Sequence, residues 1–123
     1  MRFLTDRKRV IGLGSGREGT HHHWQMMVTS ILLVPLVPLF VFLFASAIGG
    51  SHNEVVALLS RPLPALVTAL SLSVIILHLM REAHAAIEDY VHGTPGKLSL
   101  IATTAFAYTL IAAGLFAVAR IAL

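Results

Sequence analysis

The sequence predicts an all-α integral membrane protein built on three transmembrane helices, and three observations carry that prediction. Of the 123 residues, 56% are hydrophobic and only 12% are charged, about half the charged share of a soluble domain. The mean hydropathy is +0.81. The apolar residues also fall into three runs without a formal charge: Met26 to Ile48, Leu63 to Met80 and Leu98 to Ala119. A soluble domain of this size buries only about 60–70% of the surface its unfolded chain exposes. That is too little to hide so much apolar material, which excludes a cytosolic enzyme.

The first run is 23 residues long, enough to cross a hydrocarbon core of about 30 Å. It is too long, and starts too far into the chain, for a secretory leader. None of the runs has a strand period, and backbone groups in lipid must be paired within the segment, so the crossings are helical. Pro35 and Pro38 should kink the first helix. Gly49 to Asn53 ends it, and Glu54 to Ser60 suits a short interfacial helix. Pro62 and Pro64 suit the first turn of the second helix, where a missing N–H is tolerated. That helix can run on to about Val91, ending in water before the Gly93-Thr94-Pro95-Gly96 break. Thr103, Ala107, Ala113 and Gly114 give the third helix a small-residue surface for close packing. The chain thus divides into an N-terminal segment, 1–25, and a transmembrane domain, 26–123, with spans at about 26–48, 63–85 and 98–120.

Charge sets the expected orientation. Residues 1–25 hold Arg2, Arg7, Lys8, Arg9 and Arg17 against Asp6 and Glu18, and cationic flanks stay in the cytoplasm. The N-terminus and the 81–97 segment are then cytoplasmic. The same cluster is a poor nucleic-acid site, because no aromatic platform or folded basic surface accompanies it. With no cysteine in the chain, thiolate chemistry and cysteine-held metal clusters are excluded.

Ionisable side chains inside a span are costly and therefore candidates for function. His78 lies in Val74-Ile75-Ile76-Leu77-His78-Leu79-Met80, apolar on both sides, and shares a helix face with Ser71, Glu82 and Asp89. Two readings stand. It bonds a neighbouring helix, or it is an axial haem ligand whose opposite ligand comes from another chain. In Ile87-Glu88-Asp89-Tyr90-Val91-His92, Tyr90 is either an interfacial anchor or a hydrogen-bond donor to a quinone carbonyl. His21, His22 and His23 project about 100° apart on a helix and cannot all hold one ion. Trp24 suits an interfacial belt.

His78, ten intervening residues, then Asp89-Tyr90 resembles the H-x10-D-Y motif of the hydrophobic membrane anchor subunit of succinate dehydrogenase. Gly16-Arg17-Glu18-Gly19-Thr20-His21 is similar to the G-R-x-G-x-H stretch that precedes helix one in that family. The segment Ile87–Gly93 looks like its bacterial members, and the likeness extends over nearly the whole chain. The resemblance implies three helices packing with a sister cytochrome b anchor subunit around a haem b. An iron–sulfur subunit and a flavoprotein subunit would carry the succinate chemistry, and the complex would sit in the bacterial inner membrane. His78 would be the haem axial ligand, and Tyr90 with Asp89 would contact ubiquinone. Met27 stands where many members carry an arginine, so Arg17, Arg81 or the sister chain would meet the haem propionates. His84 is a second candidate ligand, pointing about 120° away from His78. A fumarate reductase anchor and a cofactor-free membrane scaffold are the alternative readings.

Overall fold

The computed structural model describes residues 3–14 and 18–123. It contains five helices in chain order: α1 (Asp6–Ile11), α2 (Glu18–Ala47), α3 (His52–Leu59), α4 (Pro62–Tyr90) and α5 (Gly93–Ala122). Three of them, α2, α4 and α5, are long and apolar enough to span a bilayer. At 1.5 Å per residue, the 29 residues of α4 measure about 44 Å, so α4 is longer than the hydrocarbon core and one end stands clear of it.

Each boundary has a local cause. Thr5 caps α1 by accepting the Lys8 N–H at 3.3 Å. Helix α2 passes through Pro35 and Pro38 without interruption and stops at Gly49, whose φ of 81° suits a residue without a Cβ. Ser51 then opens α3 with a capping box. Its hydroxyl accepts the Glu54 N–H at 3.3 Å, and the Glu54 carboxylate accepts the Ser51 N–H at 2.7 Å, pairing two otherwise orphaned donors. That backbone N–H stabilises the ionised carboxylate and lowers the Glu54 pKa below its ordinary value of 4.5. Pro62 sits in the first turn of α4.

The Gly93–Gly96 stretch differs from expectation. It is the start of α5, not a connection outside the third helix. Pro95 is accommodated because first-turn N–H groups have no intrahelical acceptor to lose. Only Val91 and His92 separate α4 from α5, which forces the two helices to be antiparallel neighbours. Gly96 is required there, since a Cβ would overlap the Val91 carbonyl.

Helix α4 is the middle of the molecule. It packs along both α2 and α5, while α2 and α5 do not pack on each other. The three spans therefore form an open row and enclose little. Among the described residues, Ala65, Ser71, Met80, Gly96 and Ala107 are the buried ones. Accessible surface totals 9440 Å², whereas a compact soluble monomer of 13.3 kDa would expose about 6,400 Å². The excess is apolar, with Phe42, Phe44, Leu63, Ile101, Phe106 and Phe116 all outward. Lipid or other apolar chains must cover it.

The α4/α5 contact is the closer one. Gly114 faces Leu72, whose methyls lie only 2.7 and 2.8 Å from where a Cβ would stand. Thr103 and Ala107 share that face, while Ala113, grouped with them on composition, is exposed. Alternating chain direction brings the start of α2, the end of α4 and the start of α5 to one edge of the row. The basic α1 and Tyr90 lie toward that edge.

Candidate functional site

The site is built on the α2/α4 seam. Half-buried residues on α2 recur at helical steps, Gln25, Thr29, Leu33, Leu36, Phe40 and Leu43, and turn one stripe toward α4. Thr29 sits in this stripe opposite His78. Its hydroxyl lies 2.9 Å from the Met26 carbonyl and 3.1 Å from that of Gln25, and 3.0 Å from His78 Nδ1. A hydroxyl has one proton. That proton points either back along α2, so that the Thr29 oxygen accepts from His78 Nδ1–H, or toward His78 Nδ1, so that Thr29 donates there. In both arrangements Nδ1 is engaged by Thr29, and Nε2 has no hydrogen-bond partner among the described residues. The nearest acid, Glu82, holds an oxygen 3.8 Å from Nε2, beyond hydrogen-bond length. The His78 side chain keeps 21% of its surface exposed.

His84 is placed differently. It turns to the other seam, where its Nε2 lies 3.0 Å from the Thr104 hydroxyl. The Thr104 hydroxyl also lies 2.7 Å from the Leu100 carbonyl. Whichever partner donates, the outer nitrogen of His84 is occupied, and only Nδ1, beside the Cβ attachment, is left over. His78 and His84 are not brought together, as their 120° separation requires.

The rest of the sequence-derived set is spread out. Tyr90 is the last residue of α4 and 85% exposed, with Asp89 exposed beside it. Arg81 lies one turn from His78, with its Nε buried and without a partner among the described residues. His22 Nε2, on the α2 side, is likewise buried and unpaired. Both lie on the Tyr90 side of His78. The Gln25 amide lies 2.8 Å from His21 Nε2 and donates to it, and His23 is exposed. Trp24 is also exposed. Arg17, with Gly16, lies outside the described residues. Ser71, on the His78 face, is completely buried, and its hydroxyl has no partner among the described residues.

Sequence reasoning missed Thr29 and Thr104 as partners of the two histidines. A signal was present, since each is a hydroxyl residue inside an apolar run. Hydroxyls in spans commonly satisfy themselves on their own backbone, however, so composition does not single these two out.

The arrangement fits a haem. A neutral imidazole with its inner N–H bonded and its outer lone pair free is the donor a metal ligand requires. Unpaired Arg81 Nε and His22 Nε2 lie on the same side for anionic groups.

Residues 1–119 match the family described as succinate dehydrogenase/fumarate reductase transmembrane subunit. The chain is 42% identical over 123 residues to the succinate dehydrogenase hydrophobic membrane anchor subunit of Paracoccus denitrificans, covering 100% of this chain and 95% of that protein. No solved structure matches it.

Proposed function

Because this chain belongs to the succinate dehydrogenase/fumarate reductase transmembrane subunit family, we propose that it does more than anchor a complex to the membrane: it ligates half of a haem b and forms one wall of a quinone site. The anchor role follows from the family. The free Nε2 of His78, with Nδ1 tied to Thr29, carries the haem reading. When bound there, a haem supplies a one-electron carrier whose potential is set by its axial ligands.

In this reading His78 would hold the haem iron together with a histidine of the sister cytochrome b anchor subunit. Arg81 would neutralise a propionate in place of the arginine that Met27 replaces. Arg17 is the other candidate within this chain. His84 supports the site by fastening α4 to α5. Tyr90, at the water-facing end of α4, donates its phenol proton to a ubiquinone carbonyl, and Asp89 polarises that edge. The iron–sulfur and flavoprotein subunits bind on the same side and deliver electrons from succinate. With the basic α1 held by the positive-inside rule, that side is the cytoplasmic face of a bacterial inner membrane. In domain terms, 1–25 is the cytoplasmic segment and 26–123 the anchor domain. The relative from Paracoccus denitrificans, named for succinate dehydrogenase, favours succinate oxidation over fumarate reduction.

The test is a reduced-minus-oxidised visible spectrum of the detergent-extracted complex, beside the same complex carrying His78→Leu. The b-type α-band should vanish or shift in the variant. An unchanged band would place the ligand elsewhere. Tyr90→Phe should lower quinone reduction several-fold, in keeping with about 0.5–1.5 kcal/mol for one hydrogen bond. Succinate oxidation with an artificial acceptor should persist, whereas equal loss of both activities would mean an assembly defect.

A further inference from the structure

We propose that Thr29 is a positioning residue for the haem site: its hydroxyl oxygen fixes the tautomer and ring orientation of His78 and tunes the potential of the bound iron. The inference rests on the reading of His78 as a haem ligand.

Three observations carry it. The Thr29 oxygen is immobilised by its own helix, with the Met26 and Gln25 carbonyls at 2.9 and 3.1 Å. An imidazole that binds metal through Nε2 carries its proton on Nδ1, so in the ligand reading the Thr29 oxygen accepts from His78 and sends its own proton to one of those carbonyls. The His78 Nδ1 contact at 3.0 Å crosses from α4 to α2, so the ring plane is set by a different helix from the one that carries it. Among the described residues no other side chain hydrogen-bonds the ring, and Glu82 at 3.8 Å is too distant. An Nδ1–H that donates to a fixed oxygen makes the opposite nitrogen more basic. A more basic ligand favours the ferric over the ferrous state and lowers the potential.

The matched His84–Thr104 pair supplies an internal control. It has the same residue types and the same 3.0 Å contact, but it spends the outer nitrogen on the tie.

The experiment uses the purified complex with Thr29→Val, Thr29→Ser and Thr104→Val. It reads haem per flavin and the haem midpoint potential. Thr29→Val keeps the side-chain shape and loses the hydroxyl. It should weaken haem retention by about 10- to 100-fold or, where haem is kept, raise the potential. A tenfold change in ferrous over ferric preference corresponds to about 59 mV for one electron. Thr29→Ser should restore both readouts, and Thr104→Val should move neither. If Thr29→Val prevents assembly, Thr29→Ala carries the same expectation with less bulk.

Wild-type haem content and potential in Thr29→Val would overturn the inference. Equal shifts in Thr29→Val and Thr104→Val would also overturn it, by showing a packing effect. Loss of haem in His78→Leu with an unaltered Thr29→Val complex would sink only the Thr29 role. Haem retained unchanged in His78→Leu would sink the ligand reading beneath it.

Discussion

Along the α2/α4 seam His78 Nδ1 meets the Thr29 hydroxyl, and along the α4/α5 seam His84 Nε2 meets the Thr104 hydroxyl, each across 3.0 Å. Both ties use a histidine on the central helix and a threonine that bonds its own backbone. They differ in which ring nitrogen is left over. The inner nitrogen does the holding at His78, so the outer one is left without a hydrogen-bond partner among the described residues. At His84 the outer nitrogen is consumed and the ring becomes a helix fastener. Identical residue types thus leave the outer nitrogen unpartnered in one place and engaged in another, and the rotational position on α4 makes the difference. The seams differ in packing as well. The α4/α5 seam has a two-residue turn and a glycine pressed against Leu72. The α2/α4 seam is joined through the separate helix α3 and relies on side chains.

The most direct way to break this contrast lies in the two histidines. His84→Leu should leave the b-type band of the complex intact and lower its thermal stability by about 1 kcal/mol, the worth of one hydrogen bond. A spectrum lost as fully as in His78→Leu would make the two seams functionally equivalent.

Next comes the turn. Gly96→Ala places a methyl on the Val91 carbonyl, where the obstacle is backbone and cannot swing aside. It should destabilise the α4/α5 pair by roughly 3 kcal/mol, the upper part of the overpacking range, seen as a reduced yield of assembled complex in membranes. A smaller effect is expected from Gly114→Ala, since its methyl meets the flexible end of Leu72 and rotation relieves part of the clash. About 1 kcal/mol of destabilisation, read as a lowered Tm in detergent, would fit. No change at either glycine would show that the α4/α5 seam is as loose as α2/α4.

The smallest effect concerns the connection between α2 and α4. Ser51→Ala removes the capping box and should cost about 1 kcal/mol locally, seen as faster amide exchange through Glu54 and Val55 with haem content unchanged. Acid should mimic it. The Glu54 pKa is lowered in the fold, so its contribution is fully present above the ordinary value of 4.5 and disappears as pH falls through the lowered one. Exchange that does not respond to acid would mean that the Glu54–Ser51 bond adds nothing to α3.

Much of the architecture was legible in advance. Charge-free runs of membrane-spanning length identify three helices, because lipid admits no unpaired backbone. Gly49 and Ser51 mark the break before α3, and Pro62 the start of α4. The start of α5 was misjudged, because Gly93-Thr94-Pro95-Gly96 has the composition of a turn and yet forms a first helical turn. The difference is only whether the orphan N–H groups of that turn tolerate a proline, and they do. At the site, His78 was legible as a polar residue in an apolar run, and Tyr90 as the end of its helix. Thr29 was not, because no local pattern links two residues 49 positions apart.

The amino-acid sequence by itself determined the solvent, the number of crossings and the family, since each depends on local composition or on motif spacing. Only the tertiary structure decided which face of each helix meets a neighbour, and so which nitrogen of each histidine is free. The physical reason lies in the membrane. A helix face packed on protein and one facing lipid are equally apolar, so hydrophobic periodicity carries almost no record of packing. That information resides in close approaches such as Gly114 to Leu72 and in single polar pairs such as Thr29 with His78, which exist only once the helices are side by side.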